Sequence, residues 1–312
     1  MALYLVTGGA GFIGSHIVEE LVRRGESVRV LDNLASGRPE NLSAFGDRIN
    51  LYEADIRNLE VIQSQFTGVD YVIHLAALPS VPRSIKDPLS SNAVNIDGTL
   101  NVLVAARDAG VKRLVFAASS SAYGDNPVLP RVETHEPRPL SPYAVTKLTG
   151  ELYCRIFWHV YGLEAVALRY FNIFGPRQNP DSPYTGVLSL FIAAYLRGKT
   201  PVIFGDGEQS RDFTYVDNAV DATLRACTAP EVAGAVINVG IGERHTLNQT
   251  IALLNEIFGQ QVTPRYDPVR AGDVRDSHAD ISLARQVLGY KPKVRFTEGL
   301  RRTVDWYREA LL

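Results

Sequence analysis

Apolar stretches of strand length recur at Leu3–Thr7, Ser27–Leu31, Asn50–Glu53, Tyr71–Leu75, Arg113–Ala117 and Ala165–Leu168, and helical patterns separate them. Such alternation predicts a parallel sheet covered by helices on both faces and joined by right-handed crossovers. The fold class is therefore α/β, a doubly wound parallel sheet. From about Phe171 the pattern breaks at Gly175-Pro176, Asn179-Pro180 and Ser182-Pro183, which are turn signals. Shorter elements follow, with helices expected near Leu188–Arg197, Thr246–Phe258 and Thr297–Leu311. We read residues 1–170 as one domain and residues 171–312 as a second, smaller α/β lobe for substrate, with the segment 211–240 returning to the first. Apolar stripes in the helices near Leu89–Ala109 and Tyr143–Tyr161 fit faces that pack against other elements.

The first strand runs directly into Gly8-Gly-Ala-Gly11-Phe12-Ile13-Gly14 and then into a helical pattern through Arg24. Strand, glycine turn and helix in that order form the context of a dinucleotide-binding fingerprint, here with glycines spaced G-x-x-G-x-x-G rather than G-x-G-x-x-G. Gly8 permits the tight turn, Gly11 the approach of a pyrophosphate, and Gly14 close packing of helix on strand, while the amides of the helix N-terminus face the phosphates. The second strand ends at Asp32, where a carboxylate can accept from both ribose hydroxyls of an adenosine and repel a 2′-phosphate. That selects NAD over NADP. Gly8, Asp32, Asp55, Ala76, Ser119 and Tyr170 all fall at or just past strand ends, so they are expected to meet in one crevice.

The segment Ser141-Pro-Tyr-Ala-Val-Thr-Lys147 lies downstream of a serine cluster at Ser119, Ser120 and Ser121. In a helix, Tyr143 and Lys147 share one face, one turn apart. A phenol with a pKa of about 10 is a poor base at neutral pH. An ammonium roughly 6 Å away, at an effective dielectric near 20, supplies about 2.8 kcal/mol toward the phenolate, or about two pKa units. Tyr143 is thus the expected proton-transfer group and Lys147 its modifier. Histidines invite the same reading, but His74 at the end of a buried strand and His278 are expected to be packed and hydrogen-bonded.

Composition narrows the partners. A formal net charge of −2 announces no polybasic surface for nucleic acid or membrane, and no apolar run reaches the length of a membrane span. The two cysteines, Cys154 and Cys227, fit no metal-ligand spacing and no disulfide framework, so no metal is expected and a reducing cytoplasm fits. The N-terminus lacks the pattern of a signal peptide, and a cytoplasmic location is expected.

Taken with Asp55-Ile56, His74-Leu-Ala-Ala77, Asn95-Ile-Asp-Gly-Thr99, Ser119-Ser-Ser-Ala-Tyr-Gly124, Leu168-Arg-Tyr-Phe-Asn172, Arg211-Asp-Phe and Arg270-x-Gly-Asp273, the chain resembles the extended short-chain dehydrogenase/reductase family, in its nucleotide-sugar 4-epimerase group. The resemblance implies a Rossmann domain holding NAD, a UDP-sugar substrate and a homodimer made by the helices near Leu89–Ala109 and Tyr143–Tyr161. It implies cofactor contacts from Gly8, Gly11, Phe12, Ile13, Gly14, Asp32, Asn33, Leu75, Asn95, Tyr143 and Lys147, with Asp55 and Ile56 at the adenine, Ala76 and Ala77 passing close, and Tyr170 flanking the nicotinamide. Counting back from Tyr123-Gly124, it also implies that Ser119 supplies the catalytic hydroxyl beside Tyr143 and that Ser121 contacts substrate, that Asn172, Arg211 and Arg270 hold the UDP diphosphate, and that Asp273 meets the uridine ribose. Arginine suits that task because a planar guanidinium grips phosphate oxygens in pairs.

Dehydratases that resemble this chain carry an Asp-Glu pair where Ser120 and Ser121 stand, and decarboxylases a glutamate at Ser121. Their absence leaves epimerisation, by the resemblance, with UDP-glucuronate 4-epimerases as the nearest alternative and a non-catalytic NAD-binding protein as a different class. Alignment with the group places Ser277 where strict glucose/galactose epimerases tend to carry tyrosine, which leaves room for an N-acetyl substituent. Leu78-Pro-Ser-Val-Pro-Arg-Ser84 likewise resembles the loop of epimerases acting on UDP-N-acetylglucosamine.

Overall fold

The computed structural model describes residues 1–180, 186–269 and 274–311. Six strands appear where the apolar stretches stand: β1 (Leu3–Thr7), β2 (Ser27–Asp32), β3 (Ile49–Glu53), β4 (Tyr71–His74), β5 (Arg113–Ser119) and β6 (Glu164–Tyr170). A further strand, Val236–Val239, joins them in one seven-stranded sheet, lying beside β6, which is followed in order by β5, β4, β1, β2 and β3. All neighbours run parallel, with Thr7 facing both Leu31 and His74 and with Ser119 facing Tyr170. The chain winds outward in one direction through β2 and β3 and in the other through β4 to β6. The order therefore reverses between β1 and β4, and a crevice opens beyond the strand ends there.

The expectation of a helix before every strand fails ahead of β3 and β4. Pro39–Arg48 is a 3-10 stretch broken at Gly46, whose φ is 48°, and the segment before β4 holds only the short turns Leu59–Ile62 and Gln63–Phe66. On the other flank the cover is continuous. Pro88–Asn92, Ala93–Asp97 and Gly98–Asp108 form a single run whose middle is a π turn, and Pro142–Tyr161 packs beside it. The latter helix starts where Ser141 Oγ accepts from the Ala144 amide at 3.2 Å, with Pro142 following, and stops at Gly162, whose φ is 71°.

Beyond residue 171 the regular alternation gives way to the helices Val187–Leu196, Leu247–Phe258 and Phe296–Leu311 and to short strand pairs such as Val202–Phe204 with Arg265–Asp267. One buried apolar cluster runs from Val6 and Ile17 under the sheet to Phe191, Leu254 and Tyr307, so the two parts of the chain share a core. No helix is long and apolar enough to cross a membrane among the described residues.

Candidate active site

The turn after β1 is glycine-rich because nothing larger fits. Gly8 has φ 71°, and a Cβ there would stand 2.8 Å from the Ala76 amide nitrogen, while a Cβ on Gly14 would stand 2.2 Å from the Gly8 carbonyl oxygen. The helix α1 (Phe12–Arg23) is thereby seated against the end of β1, and Gly8, Gly11, Phe12, Ile13 and Gly14 line a cleft of about 930 Å³ along the carboxyl ends of the strands. That volume is at the upper end for ligand sites.

Asp32 is buried at the tip of β2 in the same cleft. Its Oδ2 accepts from the Ala10 amide at 3.0 Å and its Oδ1 from the Leu34 amide at 2.9 Å, so each oxygen keeps a lone pair for a ligand hydroxyl. Burial raises its pKa, and the two amides act against that rise. Asn33, Ile56, Leu75, Ala76 and Ala77 continue the wall. Two expected contacts, Asp55 and Asn95, are not part of this lining. The Asp55 carboxylate is taken up by Arg57 at 2.8 Å and Asn33 Nδ2 at 3.0 Å. Asn95, buried within the π turn, accepts from the Leu78 amide at 2.8 Å and donates to Thr146 Oγ1 at 3.1 Å, tying the cleft-lining Leu78 to the helix of Tyr143 and Lys147. Its motif marked it as a contact, but its amide group is used up in positioning others.

Ser119 ends β5, and its Oγ accepts from the Ser121 amide at 3.2 Å and from Ser121 Oγ at 2.9 Å. The same side chain acts on the Tyr143 phenol and favours its ionised form. Lys147, 4% exposed, donates to the Ala117 carbonyl at 2.7 Å and lies 4.9 Å from the Phe116 ring centroid. All of these except Phe116 line the cleft. The electrostatics differ from those read off the helix spacing. Burial pulls the Lys147 pKa down to about 8. Tyr143 is raised rather than lowered, because burial of its hydroxyl outweighs the Ser119 hydrogen bond and the lysine does not figure among the causes. The lysine ammonium is directed to a main-chain carbonyl, so its field on the phenol is weaker than helix spacing alone suggests.

On the substrate side, Asn172 adopts φ 38° and its Nδ2 donates to the Asp212 carbonyl at 3.1 Å and to Ser277 Oγ at 3.3 Å. Asn172, Ser121, Ser277 and Arg211 line the cleft, the last with Nη1 donating to the Arg275 carbonyl at 2.7 Å. Tyr170 presents its ring to the cleft while its hydroxyl meets Thr223 Oγ1 at 2.6 Å on the far side. Arg270 and Asp273 lie outside the described residues. Arg131, Gln178 and Asp276 also line the cleft, and no motif or periodicity singled them out. His74 is a packed strand residue, 1% exposed and held between Thr7 Oγ1 at 2.7 Å and Thr99 Oγ1 at 3.0 Å.

A glycine turn between strand and helix, an acid at the second strand tip, and a serine, tyrosine and lysine at the end of β5 define a dinucleotide-dependent enzyme that moves a proton and a hydride at an alcohol carbon. Residues 4–240 match the NAD dependent epimerase/dehydratase family, and the chain belongs to that family. It is 43% identical to the UDP-glucose 4-epimerase of Thermotoga maritima, solved with UDP-glucose, over 99% of this chain and 100% of that one, with a TM-score of 0.95. It is 41% identical, over 99% of each chain and with a TM-score of 0.95, to a UDP-N-acetylglucosamine 4-epimerase from Methanobrevibacter ruminantium. The Thermus thermophilus UDP-glucose 4-epimerase, solved with NAD, is 39% identical over 99% of each chain at a TM-score of 0.90. The chain is an NAD-dependent enzyme of the UDP-sugar 4-epimerase group.

Proposed function

We propose that the protein is a UDP-hexose 4-epimerase that interconverts C4 epimers through a transient 4-keto sugar, acting on UDP-glucose and UDP-galactose and on UDP-N-acetylglucosamine. The observation that carries this reading is the convergence of Ser119, Tyr143 and Lys147 at the end of β5. By the resemblance, Ser120 and Ser121 stand where dehydratases and decarboxylases carry carboxylates. NAD when bound supplies the acceptor and donor of hydride, and its oxidised ring carries a positive charge that favours the phenolate. Tyr143 takes the proton of the sugar 4-hydroxyl and later returns it. Ser119 holds the oxygen as it changes from alcohol to carbonyl. C4 would be inverted if the keto sugar turned within the cleft before the bound cofactor gave its hydride back.

In this reading, residues 1–170 with the segment of about 211–240 form the NAD-binding part and the remainder of 171–312 holds the UDP-sugar, with Asn172, Arg270 and, from the start of the returning segment, Arg211 on the diphosphate and Asp273 on the uridine ribose. The protein works as a cytoplasmic homodimer. The test is to incubate it with UDP-glucose deuterated at C4 and follow UDP-galactose. Full retention of the label at C4 supports transfer and return of one hydride, whereas exchange of the label with solvent, or release of water or carbon dioxide from a UDP-sugar, overturns the reading.

A further inference from the structure

Among the described residues three arginines are buried, and two are paired. Arg113 forms an ion pair with Glu164, and Arg169 holds Glu151 through bonds of 2.7 and 2.9 Å. The third, Arg131, is 4% exposed and lines the cleft. Its Nη1 donates to the Val128 carbonyl at 2.9 Å, and it makes no ion pair among the described residues, where Asp276 and Asp125 act on it only through space. Neither Nε nor Nη2 has a protein acceptor there, yet neither is sealed from solvent. A buried cation without a counter-charge is costly, and a fold retains one where a ligand supplies the partner.

The place of Arg131 says which part of the ligand that is. Its amide donates to the His278 carbonyl at 2.7 Å and its carbonyl accepts from the Asp280 amide at 2.9 Å. The segment is thus pinned beside Ser277, on the wall that Asn172 shares. We propose that Arg131 is a specificity-determining residue whose guanidinium binds an sp² oxygen on a substituent of the hexose ring, either the carboxylate of a hexuronate or the acetamido carbonyl of an N-acetylhexosamine. Plain hexoses lack such an oxygen. The assignment rests on the UDP-sugar reading of the cleft but not on the reaction performed there.

Calorimetric titration of UDP, UDP-glucose, UDP-N-acetylglucosamine and UDP-glucuronate into the NAD-loaded protein tests it, with Arg131→Leu and Arg131→Lys as variants. Arg131→Leu is expected to weaken at least one of the two substituted sugars roughly 10- to 100-fold more than UDP-glucose, the range for a hydrogen bond to a charged group. Arg131→Lys is expected to restore part of the loss. A selective loss on UDP-glucuronate identifies the carboxylate, and one on UDP-N-acetylglucosamine the carbonyl. Equal weakening of all four ligands assigns Arg131 to the diphosphate and overturns the proposal, as does no weakening at all. Loss of bound NAD or of the folded circular dichroism spectrum in both variants gives Arg131 a structural role and overturns it too. Wild-type protein that binds these sugars but epimerises none overturns the epimerase reading while leaving the Arg131 assignment standing.

Discussion

The Lys147 ammonium donates to the Ala117 main-chain carbonyl at 2.7 Å, two residues before β5 ends at Ser119. This bond places the lysine by the sheet rather than by its own helix. The side chain is held under the floor of the cleft, where burial leaves its pKa at about 8, and Tyr143 is left with Ser119 as its direct partner.

In the reaction proposed above, Tyr143 is the group that moves the proton. Tyr143→Phe removes only the hydroxyl and leaves the ring that lines the cleft. Turnover is expected to fall roughly 10²-fold or more, the usual contribution of a positioned acid or base, with NAD content unchanged. Cofactor is measured after denaturing the purified variant, and activity by coupled assay. A variant that turns over like wild type removes Tyr143 from the mechanism.

Much of this was legible in the sequence because it rests on local chemistry. The strand runs, the glycines that must pass Ala76 without a Cβ, and Asp32 at a strand tip follow from residue type and order alone. The 3-10 stretch at Pro39–Arg48 was not legible, since a short connection carries no period of its own. The raised pKa of Tyr143 depends on how deeply its hydroxyl is buried, which spacing along a helix does not report. Arg131 sits in a segment without periodicity, and only the fold reveals that it is buried, without an ion pair among the described residues, and on the wall of the cleft.

His74 predicts a pH dependence of stability. The Thr99 hydroxyl donates to the Asn95 carbonyl, so the His74 Nε2–H donates to Thr99, and Nδ1 is left to accept from Thr7. The neutral ring is therefore fully satisfied. Burial, with Lys147 adding to it, lowers its pKa from 6.5 to about 3. For a base whose folded pKa is depressed, the unfolded chain takes up a proton that the fold refuses, so stability falls as pH drops from 6.5 toward 3. The slope from this one group reaches about 1.4 kcal/mol per pH unit. Urea unfolding of wild type and His74→Asn between pH 4.5 and 6.5 should give the variant the shallower dependence, and parallel curves would rule out His74 as the source.

The helix Pro142–Tyr161 carries Leu152, Ile156 and Val160 on one face, with 56, 50 and 62% of their surface exposed. Leu89 on the neighbouring helical run is 82% exposed. An exposed apolar stripe of this kind fits a partner surface, and in the homodimer proposed above a second copy of the chain covers it. Ile156→Glu is expected to convert a dimer to a monomer in sedimentation velocity without loss of helical signal. A monomeric wild type would end this assignment.

Ser277 carries the last prediction, on the breadth of the substrate pocket. Its Oγ accepts from Asn172 Nδ2 at 3.3 Å, and it lines the cleft with little exposed surface, so this wall is close-packed. A phenol ring introduced here has no open solvent to enter and must take its volume from the cleft. Overfilling a packed site costs about 1–3 kcal/mol, and a ligand with a bulky substituent beside the intruding ring bears most of it. Ser277→Tyr is therefore expected to lower kcat/KM for UDP-N-acetylglucosamine at least roughly tenfold more than for UDP-glucose. Steady-state rates on both sugars with both proteins decide the matter. Equal losses, or a wild-type enzyme inert toward the N-acetylated sugar, would leave the epimerase assignment intact and remove Ser277 as the residue that admits the larger substituent.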